Sequence, residues 1–162
     1  MLSRKLALSV AGALVALAFV FILPAAAGNA TPYPGTKVIK TKHDFGKLRS
    51  RLEAAVEANK MYVVTMASAS AGAKGRGIKI AGNLVVGVYR NDFAVRMLKA
   101  SVASGIEAPL RFYVTENADG SATLTYRLPS AVFAVYGSAD LDAMAKQLDA
   151  IWAKIVAQTV GG

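Results

Sequence analysis

Between residues 45 and 56 the apolar positions Phe45, Leu48, Leu52, Ala55 and Val56 recur at three- and four-residue steps. That spacing predicts an amphipathic helix, with Asp44 as its N-cap. KVIKTK, just before it, reads as a short strand. MYVVTMASAS (61–70) and NLVVGVYR (83–90) predict two more strands, because β-branched residues fit a pleated surface. Between them lies a glycine-rich basic loop, AGAKGRGIKIAG, with Gly72, Gly75, Gly77 and Gly82. Asn91 is placed to cap a second helix with the stripe Phe93, Met97, Leu98 and Val102, closed by Ser104 and Gly105. A hairpin follows, then a short helical turn led by Pro129, where a proline suits the first turn. The last helix carries Leu141, Met144, Leu148, Ile151, Trp152 and Ile155, with Asp140 and Asp142 at its positive end. The order is β-α-β-β-α-β-β-α. Short links between consecutive strands predict an α+β fold, an antiparallel sheet with helices packed on one face.

The hairpin's register is decided by its apolar positions. A loop of Asp119 and Gly120 alone would set Phe112 opposite Arg127 and Leu124 opposite Thr115, mixing the two faces. A three-residue loop, Ala118-Asp119-Gly120 with Gly120 left-handed, pairs Val114 with Leu124 and Phe112 with Tyr126 on one face. The other face then holds Arg111 opposite Arg127, Tyr113 opposite Thr125 and Thr115 opposite Thr123. Opposed like charges destabilise a sheet by up to about 1 kcal/mol, so something offsets them. The options are water, an internal acid such as Glu107 or Glu116, a partner subunit, or an anionic ligand bridging both guanidinium groups.

The N-terminus changes what the domain is. Arg4 and Lys5, the uncharged run from Leu6 to Leu23, and the Ala25/Ala27 pair have the layout of an export signal. Residues 1–27 are expected to be removed, 28–36 (GNATPYPGT) to form an extended linker, and 37–162 to form a single α+β domain. The rival is an uncleaved anchor, because the run approaches the ~20 residues that span a membrane. Either way the domain is expected outside the cytoplasmic membrane, periplasmic or secreted.

Composition narrows the chemistry. The chain has no cysteine, which removes disulfides, thiolate nucleophiles and a lipid-modified cysteine. Its formal charge is +9, two of it from Arg4 and Lys5. The sign favours anionic partners or simply a soluble surface. Nucleic acid is not an expected partner, since no basic run is interleaved with aromatics. His43 is the lone histidine and cannot make a metal site alone. None of the serines at 68, 70, 101, 104, 130 and 138 sits in a G-x-S-x-G elbow. Carboxylate pairs suited to glycosidic chemistry are scarce, Glu107 and Glu116 being the hairpin motif's candidates, at a separation that spacing along strands does not fix. In AGAKGRG, Lys74, Arg76 and nearby Lys79 accompany glycines that can form an anion nest, although GxxGxG is not a dinucleotide or P-loop pattern.

The string GNLVVGVYRNDFAVRMLKASVASGIEAPLRFYVTENADGSATLTYRLPS resembles the domain-of-unknown-function 302 family, particularly its exported proteobacterial branch. GIEAPLRFYVTE, the DG turn and LPS are its most specific parts, and the likeness runs over about residues 38–160. It implies a compact TATA-binding-protein-like α+β domain with helices on one side of a curved sheet. Glu107, Pro109, Arg111, Glu116 and Gly120 match the family pattern, which carries no activity across.

The expected function is therefore that of a non-catalytic exported domain, without cofactor or metal. It would bind a small anionic or amphipathic ligand, or serve as an envelope accessory protein. Arg111, Arg127, Tyr113, Thr125, Lys74 and Arg76 are the candidate ligand-binding residues. A homodimer formed through the open sheet face is the alternative, and a hydrolase the third.

Overall fold

The computed structural model describes Asn29 and residues 31–161. The export signal expected over residues 1–27 lies outside the described residues. Five strands form one sheet: β1 (Thr36–Asp44), β2 (Tyr62–Ala67), β3 (Asn83–Tyr89), β4 (Leu110–Glu116) and β5 (Ser121–Arg127). Their order is β1-β5-β4-β3-β2, and every neighbouring pair is antiparallel. Helices α1 (Phe45–Ala58), α3 (Asn91–Ala100) and α5 (Ala139–Val160) cover one face, with the short α2 (Ala69–Lys74) and α4 (Pro129–Phe133) at its margins.

Period-two alternation sorts the sheet into its two faces. Leu84, Val86, Val88, Phe112, Val114, Ala122 and Leu124 are buried against the helices. They meet Leu48, Leu52 and Val56 of α1, Phe93 and Met97 of α3, and Leu141, Met144, Leu148, Trp152 and Ile155 of α5. Trp152 stacks on Phe112 with ring centroids 5.4 Å apart and planes 15° from parallel. Asp44 caps α1 as expected, its carboxylate accepting the Lys47 N–H at 2.8 Å.

Several local expectations change. The glycine-rich segment is not wholly a loop, because Ser68 caps α2 by accepting the Ala71 N–H, and alanines sustain one short helix. Helix α3 ends at Ala100, where Ser101 is extended (φ −163°). A 3-10 turn over Val102–Glu107 follows, so Val102 stands exposed instead of extending the stripe; within α3 Leu98 is also exposed, and Phe93, Ala94 and Met97 are what the helix buries. Arg90, whose side chain makes no capping hydrogen bond, takes the N-cap position in place of Asn91. On α5, Ile151 flanks the row Leu148, Trp152, Ile155 and is only half-buried.

Candidate functional site

The middle of the sheet face without helices is built by the hairpin, β5 and β4 lying between β1 and β3. The ladder pairs Phe112 with Tyr126, Tyr113 with Thr125, Val114 with Leu124 and Thr115 with Thr123, the register that apolar patterning selects. The Asn117 N–H donates to the Ser121 carbonyl at 2.8 Å, closing a loop of Ala118, Asp119 and Gly120. Gly120 has φ +80°, a conformation glycine adopts without steric cost. Asp119 fastens the turn by accepting both the hydroxyl (2.5 Å) and the N–H (3.0 Å) of Ser121. Those two donors, the hydroxyl foremost, hold its carboxyl below the usual 3.8.

Arg111 and Arg127 lie one step beyond the last ladder pair of this hairpin. Arg111 is held from the other side by pairing with Gly87 of β3, and Arg127 by pairing with Thr36 of β1. Both line a cleft of about 310 Å³ together with Tyr113, Thr125, Tyr33 and Glu107. The Arg127 guanidinium sits over the Tyr33 ring, 5.0 Å from its centroid, a favourable cation–π distance. Its Nε is buried with no hydrogen-bond partner.

The internal acids are engaged elsewhere. Glu107 accepts the Tyr136 hydroxyl at 3.0 Å, which together with burial raises the Tyr136 pKa, burial being the larger cause. Glu116 accepts the Gly82 N–H at 2.7 Å. Among the described residues the ion pairs are Arg49–Glu53 and Arg90–Asp92, so neither hairpin arginine meets a carboxylate. Internal neutralisation by Glu107 or Glu116, one of the options open from sequence, is not what the structure uses.

The six candidate residues do not form one site. Arg111, Arg127, Tyr113 and Thr125 gather in the sheet-face cleft, whereas Lys74 lines a separate groove at the opposite end of β4, beside Glu116. Arg76 lines neither. The amide donors that an anion nest needs are spent inside the segment: those of Gly72, Gly75, Gly77 and Ile78 donate to the carbonyls of Ser68, Ala71, Lys74 and Ala73. Sequence reasoning missed Tyr33 as a cleft residue, since TPYPG carries turn signals but no periodicity. In the structure the Leu128 N–H donates to the Gly35 carbonyl at 2.9 Å, bringing that turn to the end of β5. His43 stands near the far end of β1 from Thr36, roughly 20 Å away at strand spacing, and does not line the cleft. Among the described residues no group of three His, Asp or Glu is placed to hold a metal ion. No described helix is long and apolar enough to cross a membrane.

A five-stranded antiparallel sheet with helices on one face and a cleft lined by two arginines on the other defines an α+β domain. The chain belongs to the family described as "Domain of unknown function DUF302", whose pattern matches residues 37–159. Its fold is also that of the uncharacterized conserved protein DUF302 from Bacillus stearothermophilus. That crystal structure superposes with a TM-score of 0.69 over 78% of this chain and 98% of the other, at 14% identity. No curated protein matches the chain.

Proposed function

We propose that this chain is an exported, non-catalytic member of the family, of the proteobacterial branch its motif resembles, acting in the periplasm or in secreted form. On this reading it holds a small anionic ligand between Arg111 and Arg127. The observation that carries it is the buried, unpartnered Nε of Arg127 beside a second arginine without a carboxylate. A buried donor left unpaired costs about 1–3 kcal/mol, more when charged. A carboxylate or phosphate offsets that cost and turns the mutual repulsion of two guanidinium groups into shared attraction. The hydroxyls of Tyr113 and Thr125, paired across the strands, are placed to orient it. Glu107, which also lines the cleft, favours a ligand that carries a hydroxyl or amine beside its anionic group. The remoteness of the lone histidine favours binding over acid–base catalysis.

A second reading has its own observation. Val38, Thr125, Tyr113, Val85 and Ala67 form one row across all five strands of the bare face. Val38 and Tyr113 are 44% and 40% exposed, which suits a second copy of the chain packing there. Native mass spectrometry of protein purified from its own envelope separates the two. A monomer retaining a small acidic ligand supports the first reading, a ligand-free dimer supports the second, and a bare monomer contradicts both.

A further inference from the structure

The groove beside Glu116 is about 700 Å³, within the range of small-molecule sites. One wall is α1, through Phe45 and Arg49; the other is the segment from α2 to Gly82. That segment is a flap pinned at its neck. The Ala69 N–H donates to Asn83 Oδ1 at 2.9 Å, and the Asn83 N–H to Ser70 Oγ at 3.2 Å. Gly82 exchanges bonds with Glu116, its N–H donating to the carboxylate at 2.7 Å and its carbonyl accepting the Glu116 N–H at 2.8 Å. Gly82 lies so close to the Phe45 ring that a Cβ would meet it at 2.9 Å, so only glycine fits there without displacing the ring.

Between the fixed ends the flap is almost wholly exposed. Its exposed side chains are not those of an ordinary solvated loop. Ile78 and Ile80 are 50% and 48% exposed and line the groove on either side of Lys79, with Lys74 also at its wall. Apolar surface of this kind gains free energy when covered. Neither lysine has an ion-pair partner among the described residues, whereas Arg49 is committed to Glu53 at 2.6 Å.

We propose that this groove is a second binding site, distinct from the sheet-face cleft, for a single-chain anionic amphiphile. Its carboxylate or phosphate head is held by Lys74 and Lys79, away from the Glu116 carboxylate. Its alkyl chain lies along Phe45, Ile78, Ile80 and Leu84. The charge complementarity selects an anionic head over a neutral one, and the apolar lining selects a chain over a bare ion.

Calorimetric titration of the purified protein with dodecanoate, dodecyl phosphate and the neutral dodecyl maltoside, all below their micelle concentrations, tests it. In the Arg111→Gln background, which removes the anion site of the sheet-face cleft, both anions are expected to saturate at one per chain, and the maltoside to bind at least about tenfold more weakly. Octanoate is expected to bind more weakly than dodecanoate, by up to about fourfold per missing methylene. Adding the exposed double substitution Lys74→Gln/Lys79→Gln in that background is expected to cost about tenfold or more for the anions. Absence of saturable binding, equal binding of the maltoside, or no chain-length dependence would overturn the proposal. Saturable binding seen in wild type and lost entirely in Arg111→Gln would also overturn it, by moving the ligand to the sheet-face cleft and leaving that cleft's reading intact.

Discussion

Arg127 and Tyr33 tie the chain preceding β1 to the candidate anion cleft, guanidinium over ring at 5.0 Å. An arginine held over a ring keeps its fork pre-oriented, so less side-chain freedom is lost when an anion arrives. Tyr33 is 60% exposed, which makes its own contribution to stability small, about 0.5–1 kcal/mol for such a contact. Tyr33→Ala is accordingly expected to leave the thermal midpoint within a few degrees of wild type while weakening phosphate binding. A midpoint collapse on Tyr33→Ala would show that the turn is structural.

The core should respond unequally along α5. Trp152 is 1% exposed and stacked on Phe112, so Trp152→Ala is expected to cost about 3–5 kcal/mol. Ile151→Ala, half-buried at the margin of the same stripe, should cost about 1–2 kcal/mol, below the range of fully buried sites. Urea unfolding of the two variants checks the order, and equal losses would contradict the packing.

The fold was legible where periodicity is strong. The apolar faces of the hairpin strands select one register, and that register is the observed one. The stripe of α5 likewise names most of its buried side. Legibility failed where backbone breaks override the pattern: α3 stops at Ala100, so Val102, in line with the stripe by spacing, stands 79% exposed. It failed again over Ala69–Lys74, where glycines signal a loop but a serine cap and alanines make a turn of helix. Of the candidate cleft, the cross-strand pair Tyr113–Thr125 and the two arginines follow from register alone. Tyr33 and the engagement of Glu107 by Tyr136 depend on tertiary contacts between segments far apart in sequence.

The turn gives a backbone prediction. A Cβ on Gly120 would meet nothing within 4 Å, yet its φ is +80°. Gly120→Ala should therefore cost about 1–2 kcal/mol through conformation alone, read from chemical denaturation. A neutral result would mean that the loop relaxes into another turn.

Stability should fall at both extremes of pH. The carboxyls of Asp92, hydrogen-bonded by Arg90, and Asp119, hydrogen-bonded by Ser121, lie below their ordinary 3.8 in the fold. Depressed groups contribute stability that is present above the unfolded value and lost as pH falls through the folded one. Tyr126, raised above 10.0 by burial and secondarily by Asp149, has the opposite sign. Its neutral form suits the fold, and stability is lost as pH climbs past 10 toward the folded value. Denaturation midpoints measured against pH should form a plateau, with Asp119→Asn softening the acid flank and Tyr126→Phe the alkaline flank. Flanks unchanged in both variants would contradict these assignments.

The arginine pair is tested most directly by thermal unfolding of wild type and Arg111→Gln, each across a series of phosphate concentrations. Removing one of two neighbouring cations, with no carboxylate to orphan, should leave the phosphate-free variant as stable as wild type or slightly more so. A ligand that binds only the folded state raises its stability with concentration. Wild type is therefore expected to gain in midpoint beyond the general salting effect, and the variant to show that general effect alone. Equal gains in both proteins, or a large loss of stability in the phosphate-free variant, would contradict an anion site between Arg111 and Arg127.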